Sequence, residues 1–355
     1  MNQLLRDCQL QMGALFAPDD LVPLSFGNDG VALQAARQGV ALCDRSHWGR
    51  VEVGGSDRQA FLHNQSTNNL NGLQPGEGCD TVFVTPTART IDLATAYVMD
   101  QDILAVLSPN RKDYLLTWLD HYIFFGDKVT LTDVTNQTAL FSLIGPESRA
   151  LFAQLGISLD PEAPTASHSL VQLAGQPVRL AVGSGLGLTG YTLMMAAEQA
   201  ATVWSALAQA GAVPLGERVW EQLRIEQGRP RPDRELTEDY NPLEAGLWHA
   251  VSFNKGCYIG QETIARLDAY KGVKQQLWGI RLEGKPELGQ PITQGEEKIG
   301  VLTSLTESEN GPIGLAYIRT KAGGAGLTVT VDGNPGVVVE VPFLTREKAE
   351  PKPDL

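Results

Sequence analysis

Hydrophobic positions change their spacing along the chain, and each spacing predicts a different kind of element. Near the start, Leu4, Cys8 and Met12 recur every four residues with Leu5 beside them, which predicts an amphipathic first helix. In the stretch 50–135 a strand and a helix are followed by strands, a second helix and a strand, the order of a ferredoxin-like α+β unit. After Leu277 helical spacing ends and short β-rich runs alternate with Gly and Pro turns, which predicts a small antiparallel barrel or sandwich.

The individual elements follow from the same patterns. The strands predicted before residue 200 lie at 51–53, 81–85, 91–98, 103–107, 129–134, 169–173, 178–182 and 191–195. The predicted helices begin at the capping box of Ser56 and Gln59, at Ser108-Pro109 and at Pro146, and two more run over 201–210 and 217–227. The C-terminal strands are predicted at 277–282, 298–304, 314–318, 327–331 and 337–341. This mixture of helices and strands predicts the α+β class.

Composition narrows the class of protein. The chain has 355 residues, too many for one comfortable core, so two or three domains are expected. It is 43% hydrophobic and 19% charged, as in an ordinary globular protein. A net charge of −13 argues against binding nucleic acid through the overall field. The sequence shows neither a signal peptide nor a run of about 20 apolar residues, which predicts a cytoplasmic protein with no membrane partner.

The four cysteines, Cys8, Cys43, Cys79 and Cys257, are scattered without a C-x-x-C spacing. This distribution argues against a zinc site or a disulfide framework and is typical of a reducing compartment. Ligation of an iron–sulfur cluster by the four thiols is the lesser alternative, because cluster ligands usually lie close together in sequence. None of the five histidines has metal-ligand spacing, so no metal site is predicted.

The octapeptide 255–262, KGCYIGQE, carries the strongest chemical signal. Cys257 lies between Gly256 and Gly260, with Lys255 two residues before it and a predicted helix over 262–270 after it. A nearby cation and a following helix N-terminus both favour the thiolate, so the pattern predicts a semi-exposed, reactive cysteine on a rigid turn. The alternative is an inert, buried cysteine in a glycine-rich loop.

The octapeptide also resembles the K-G-C-[FY]-x-G-Q-E signature of the folate-binding YgfZ family, relatives of the glycine cleavage system T-protein (GcvT). Five further blocks resemble the family in the same order, at 44–53, 60–68, 145–146, 223–230 and 241–247. The resemblance implies a three-domain GcvT/YgfZ-like ring with a split mixed α/β domain, a ferredoxin-like domain and a C-terminal β-barrel. The corresponding boundaries are 1–49 plus 136–270 for the folate-binding domain, 50–135 for the ferredoxin-like domain, 271–345 for the barrel and 346–355 for a tail.

The resemblance implies tetrahydrofolate or a related reduced folate as the cofactor. Family T-proteins carry an acidic pair near the reacting folate nitrogen, where this chain has Asp92 and Leu93, and a pterin-gripping Glu, where it has Leu188. Asp92 could instead be a turn-satisfied or surface residue. The implied set of folate-binding residues is Asp92, Arg224, Glu226, Tyr258, Gly260, Gln261 and Glu262.

Several cations are further candidates for folate contacts. Arg224 could bind a folate carboxylate through its planar fork, or it could pair with a neighbouring acid or the backbone. Lys271, Lys274 and Arg266 follow the octapeptide and could receive a polyglutamyl tail, or they could be solvated surface charges.

The function implied by the resemblance is a folate-binding accessory protein that supports assembly or repair of iron–sulfur enzymes. Cys257 would be its chemically active residue, and Lys255 would lower the pKa of that thiol. The expected partners are folate and iron–sulfur enzymes or assembly factors. The alternatives are a tetrahydrofolate-dependent aminomethyltransferase of the T-protein type, which would make the chain a one-carbon transferase, and a scaffold that binds no ligand.

Overall fold

The computed structural model describes residues 2–269 and 272–348, in which helices and strands alternate until a C-terminal all-β segment. The helices are α1 Gln3–Gln11, α2 Asp29–Gln38, α3 Arg58–Gln65, α4 Lys112–Asp120, α5 Ser148–Gln154, α6 Ala200–Gln209, α7 Glu217–Gln227 and α8 Gln261–Ala269. The first strands are β1 Ala41–Asp44, β2 Gly49–Gly54, β3 Gly78–Val84, β4 Thr90–Val98, β5 Asp102–Leu107, β6 Thr130–Asp133, β7 Thr138–Ile144, β8 His168–Leu173, β9 Gln176–Val182, β10 Gly190–Ala196 and β11 Val213–Leu215. The C-terminal strands are β12 Gln275–Leu282, β13 Pro291–Gln294, β14 Glu297–Ser308, β15 Gly311–Arg319, β16 Thr328–Val331 and β17 Asn334–Val339.

The chain divides into two compact units. The first comprises Met1–Gln59, Gly72–Cys79 and Thr95–Leu223, and the second Ala60–Asn71, Asp80–Ala94 and Arg224–Leu355. The predicted partition into three domains and a tail stays a prediction. Its boundary at residue 271 and residues 349–355 of its tail lie outside the described residues.

The first unit is built on a six-stranded mixed sheet in the order β11-β1-β7-β10-β9-β8. Only β1 and β11 pair in parallel, and the other neighbours are antiparallel. One large apolar cluster includes Phe141, Phe152 and Trp204, all fully buried, and α1 and α6 contribute to it. A second cluster contains Trp48 and Trp220 and includes residues of α2, β1 and β7. Every middle strand of this sheet is therefore apolar along most of its length.

The segment 49–133 folds as predicted into a ferredoxin-like arrangement with one extra strand. Its five-stranded sheet has the order β3-β4-β5-β2-β6, so β2, β4, β5 and β6 have the ferredoxin order, and β3 is added at one edge. The boundary between the two units falls within β3 and within β4.

The second unit ends in a closed barrel of six strands, β12-β15-β14-β13-β16-β17. Its interior contains Ile280, Leu302 and Ile318, none of them exposed. Closure leaves no unpaired sheet edge in the barrel. The mixed sheets and this barrel confirm the α+β class and the small antiparallel barrel.

The predicted amphipathic first helix is confirmed as α1: Leu5 is buried, and Cys8 and Met12 pack against the core. Leu4 differs from the pattern because it is two-thirds exposed. One predicted helix start was wrong. α4 begins at Lys112 rather than at Ser108-Pro109, because 108–111 forms a turn in which Arg111 N–H donates to Ser108 O.

Candidate functional site

The octapeptide lies in the second unit, where Lys255 fixes it to the end of α3 and to the segment that follows. The Lys255 side chain is buried, and its ammonium donates hydrogen bonds to the backbone carbonyls of His63, Ser66 and Asn68, the last two at 2.7 and 2.6 Å. Lys255 Nζ also lies 4.7 Å from the centroid of the Tyr258 ring. The prediction that Lys255 activates the Cys257 thiol stays a prediction; the observed contacts give Lys255 a clear role in holding the loop.

Cys257 itself is exposed, unlike Cys43, which is fully buried. The inert, buried cysteine weighed as the alternative is therefore not what the structure shows. Burial raises the pKa of the Cys43 thiol well above its usual value. Of these two thiols, only Cys257 is open to a reagent or a partner.

Gly260 ends the turn and precedes α8, in agreement with the predicted loop-to-helix step. Its φ is +82°, and a Cβ at this position would lie 3.0 Å from Ala88 Cα and 3.1 Å from Thr85 O. Glycine is therefore required both by the left-handed backbone and by close packing. The structure describes α8 to Ala269; Tyr270, the last residue of the predicted helix, lies outside the described residues.

Gly260 thus packs against the turn between β3 and β4, and β4 carries Asp92. Asp92 has no exposed surface, and its neighbour Leu93 points into an apolar cluster with Val82 and Val84. This burial rules out the alternative of a surface Asp. The structure therefore brings Cys257 and Asp92 onto two segments that pack together within one unit.

The other predicted folate-binding residues of the loop have different environments. Tyr258 is buried beside Leu243 and Ile264, and burial raises the pKa of its phenol. Gln261 is half-buried and Glu262 is exposed, both in the first turn of α8. Their predicted roles in folate binding stay predictions.

Arg224 is buried in an ion-pair network rather than presented to solvent. Its Nη1 lies 3.2 Å from Glu235 Oε2, and its Nη2 donates to Ser304 Oγ at 2.9 Å. Glu235 also accepts hydrogen bonds from Thr303 Oγ1 and Ser304 Oγ. The pairing with an acid that the sequence left open is therefore formed, with Glu235 as the partner. Glu226, two residues on, is half-buried.

Leu188, at the position of the family's pterin-gripping Glu, belongs to the first unit. It packs against the apolar cluster around Trp48 and Trp220. Its carbonyl accepts a hydrogen bond from Ser184 Oγ at 2.7 Å, which closes the turn between β9 and β10. An apolar residue in this packing offers no acceptor for the N–H donors of a pterin.

Sequence reasoning missed a polar network next to the octapeptide. Asn68 Nδ2 donates to Asp80 O at 2.7 Å, and His249 Nε2 lies 3.8 Å from Asp80 Oδ2. His249 Nδ1 lies 3.0 Å from Thr345 Oγ1. Burial lowers the pKa of His249, while the Asp80 carboxylate acts in the opposite direction. These residues are far apart in sequence, and no motif joins them.

With this geometry established, comparison with known proteins assigns the family. The GCVT N-terminal domain family matches residues 22–255, and the chain belongs to it. The chloroplastic protein At1g60990 of Arabidopsis thaliana, whose name describes it provisionally as a transferase, is 48% identical over 332 residues, which is 93% of this chain and 77% of that protein.

More distant relatives are named aminomethyltransferases. The enzyme of Mycobacterium avium is 31% identical over 356 residues, and that of Thermosynechococcus vestitus is 28% identical over 355 residues, each match covering 96% of the relative and 96% and 97% of this chain. The crystal structure of aminomethyltransferase T of the glycine cleavage system from Bartonella henselae superposes with a TM-score of 0.84 over 98% of this chain and 99% of that one, at 19% identity. This likeness confirms the GcvT-like fold.

Proposed function

We propose that this chain is a tetrahydrofolate-dependent one-carbon transferase of the aminomethyl type. The observation that carries the proposal is Asp92, which is fully buried at the family's acid position, on a strand whose turn packs against the octapeptide. Membership of the family and the names of the relatives at 28–31% identity support the same class of activity. For these reasons we prefer the aminomethyltransferase, which was an alternative in the interpretation of the sequence, to the accessory protein of iron–sulfur enzymes.

The side chains fit the reacting nitrogen of a folate better than they fit the hydrogen-bond donors of its pterin ring. A bound tetrahydrofolate would supply the nitrogen that accepts the one-carbon unit. An ionised Asp92 can accept a hydrogen bond and a proton from that nitrogen, and a protonated Asp92 can return the proton. Leu188 provides no carboxylate for the pterin ring, so the chain must grip that ring with other groups or more weakly.

The test is replacement of the T-protein by this protein in a reconstituted glycine cleavage system. We expect tetrahydrofolate-dependent ammonia release, and we expect Asp92→Asn to lower its rate by about 10²- to 10⁴-fold, the usual contribution of a positioned acid or base. Asp332→Asn, a change of the same kind in an exposed β-turn, should leave the rate unchanged. Thermal unfolding of both variants checks that the fold is intact. Folate binding without any turnover would contradict the proposal.

The accessory function in iron–sulfur enzymes is the second candidate, because the octapeptide resembles the signature of the YgfZ family and its Cys257 is exposed. Two variants separate the candidates. Cys257→Ser should impair iron–sulfur enzyme activity in cells that depend on this protein if the accessory function holds, and should leave aminomethyl transfer intact. If the chain is a transferase, Asp92→Asn should impair aminomethyl transfer and leave iron–sulfur enzyme activity in cells intact.

Two further properties belong with these proposals. The cofactor would be tetrahydrofolate or a related reduced folate.

The cytoplasmic location stays a prediction, since At1g60990 is chloroplastic by name. No helix among residues 2–269 and 272–348 combines the length and the apolar character that crossing a membrane requires.

A further inference from the structure

A small polar pocket of about 60 Å³ lies in the first unit, against one face of α1. The N-cap Asn2 and the helix residues Leu5, Arg6 and Gln9 all line it, because spacings of three, four and seven residues place side chains on the same face of a helix. A volume of this size holds about four to six water-sized groups. A ligand that fills the pocket therefore has about five heavy atoms.

The negative charge of the pocket is the carboxyl group of Asp44, at the end of β1. Asp44 is only 4% exposed; its Oδ2 accepts a hydrogen bond from Gln9 Nε2 at 2.8 Å, and its Oδ1 accepts one from Ser46 N–H at 2.9 Å. Burial raises the pKa of Asp44, while these donors, the Ser46 hydroxyl and the charge of Arg50 act against this effect. An ionised carboxylate can accept about four hydrogen bonds, so the three donors leave room for one more.

Asp44 also lacks a cation in direct contact. In the part of the chain that the structure describes, residues 2–269 and 272–348, its carboxyl group forms no ion pair. A buried carboxylate that only neutral groups contact is poorly compensated for the loss of water. A ligand that brings a positive charge into the pocket would supply the missing compensation.

The positive charge of the pocket is the guanidinium of Arg6. Its Nη1 donates a hydrogen bond to Asp20 O at 3.1 Å, and its Cζ lies 3.7 Å from the centroid of the Phe16 ring. These contacts hold the guanidinium at the pocket. A guanidinium carries five N–H donors, so one that is anchored in this way can still bind a carboxylate. Two opposite charges therefore line one small pocket without forming an ion pair with each other.

The wall that carries Ser46, Thr135 and Thr138 is fixed before any ligand binds. Arg50 has no exposed surface; its Nε donates to Thr138 Oγ1 at 2.7 Å, and its Nη2 donates to Ser46 O at 3.1 Å and to the carbonyl of Thr135. Such a wall loses little freedom when a ligand enters, which favours the binding of a small molecule.

We propose that this pocket binds a small α-amino acid as its zwitterion, with the ammonium group donating to Asp44 and the carboxylate accepting from Arg6. The smallest amino acids have about the five heavy atoms that the volume admits. A ligand with a carboxylate alone would be repelled by Asp44, and an amine alone would not use Arg6. The pocket lies in the first unit, whereas Asp92 lies in the second, and binding there does not require the proposed folate chemistry.

Calorimetric titration with glycine tests the proposal, with methylamine and acetate as the two half-ligands and leucine as an amino acid too large for the pocket. We expect glycine to bind with a dissociation constant of about 1 mM, within the range open to a ligand of this size, and the other three to bind at least about tenfold more weakly.

Two variants assign the ends of the ligand. Asp44→Asn keeps the shape of the side chain and removes its charge, so it should weaken glycine binding by at least about tenfold. Arg6→Gln should weaken glycine binding to a similar extent and leave the affinity for methylamine unchanged. The matched controls Asp120→Asn and Arg149→Gln make the same changes at exposed positions of α4 and α5, outside the pocket, and should bind glycine as the unmodified protein does.

Each other outcome counts against the proposal. If glycine does not bind the unmodified protein, the pocket holds only water. If methylamine binds as tightly as glycine, the pocket is a site for ammonium groups in general and the amino-acid assignment is wrong. An unchanged affinity for glycine in either variant places the ligand elsewhere. Thermal unfolding shows whether each variant is folded, and if Asp44→Asn is not, Arg6→Gln decides. All of these results leave the test of Asp92 unaffected.

Discussion

Lys255 and Cys257 are two residues apart and have different roles: Lys255 holds the loop in place, and Cys257 presents an exposed thiol. The Lys255 ammonium replaces water by three backbone carbonyls, so its charge is used to fasten the loop to the segment 63–68. The Cys257 side chain stays exposed at the surface of the same loop. A firmly held backbone with an open thiol is the arrangement expected of a reactive position, because the rest of the loop cannot collapse over it.

Replacing Lys255 by Met should destabilise the second unit. The change leaves buried carbonyl oxygens without a donor, and a hydrogen bond to a charged group contributes about 1.5–3 kcal/mol, so we expect a loss of about 3 kcal/mol in the free energy of unfolding. Urea unfolding measures it. Lys298→Met, at an exposed position of the barrel, should change the value by less than about 0.5 kcal/mol. Equal effects of the two substitutions would show that the three contacts do not stabilise the fold.

Alkylation with iodoacetamide at neutral pH should modify Cys257 before the other three thiols. Cys257 is exposed, Cys8 and Cys79 are half-buried, and Cys43 is buried with a raised pKa. Thiolates react and thiols do not, so the raised pKa of Cys43 slows its reaction, and exposure favours Cys257 over the other three thiols. Peptide mapping by mass spectrometry follows the four rates. Faster labelling of Cys8 or Cys79 than of Cys257 would remove the case for a reactive octapeptide.

At the level of elements, local patterns predicted those segments that have one buried face or clear end signals. The sequence predicts helix α7 at 217–227, where the structure has it, because Gly228 marks its end. Strand β7 and helix α2 were missed. β7 is buried on both faces and lacks alternation, and α2 is rich in Ala, whose small side chain marks no clear apolar stripe.

The same limit applies to the candidate site. The octapeptide and Asp92 could be found because each lies in a contiguous motif. The partners of Arg224 could not be found in this way. Glu235 reaches Arg224 only after the chain has left α7 and turned back, and Ser304 comes from a barrel strand. Lys274 likewise meets Arg319 only through the register of the barrel, and Lys271 lies outside the described residues, so the role of these cations toward a polyglutamyl tail stays a prediction. Pairing across long separations is set by tertiary packing and has no local signal.

The network of Arg224, Glu235 and Ser304 at the end of α7 leads to a prediction about stability. Arg224→Met should lower the free energy of unfolding by about 3–5 kcal/mol, because it leaves the buried Glu235 carboxylate without its cation. Glu235→Gln should cost less when it is added to Arg224→Met than alone, which a double-mutant cycle measures. Calorimetry on the folded variant should give an unchanged folate affinity. A large loss of affinity with normal stability would instead make Arg224 a folate ligand, as the family resemblance implied.

For the whole molecule, four histidines with lowered pKa values make the fold more sensitive to acid. Burial lowers the pKa of His47, His63, His168 and His249, and for His47 the pKa falls to about 3. The unfolded chain binds protons at these sites near pH 6.5, whereas the folded chain resists protonation until lower pH. The unfolded state therefore holds more protons below pH 6.5, and stability must fall as the pH falls. Burial raises the pKa values of Asp44 and Glu244, so these two carboxyls act in the opposite direction, at pH values above the ordinary pKa of each.

The variant His47→Gln isolates this effect. The pKa of His47 falls from its ordinary value of about 6.5 to about 3 on folding, so its titration affects stability over the widest range of pH. Between pH 6 and pH 5, removing this titration should reduce the slope of the unfolding free energy against pH by about 1 kcal/mol per pH unit. One proton can contribute at most about 1.36 kcal/mol per pH unit. Urea unfolding at several pH values gives both slopes. His121→Gln replaces an exposed histidine and should leave the slope as it is in the unmodified protein. If the profile of His47→Gln coincides with that of the unmodified protein, His47 is protonated as readily in the folded chain as in the unfolded one, and its contribution to acid sensitivity is absent.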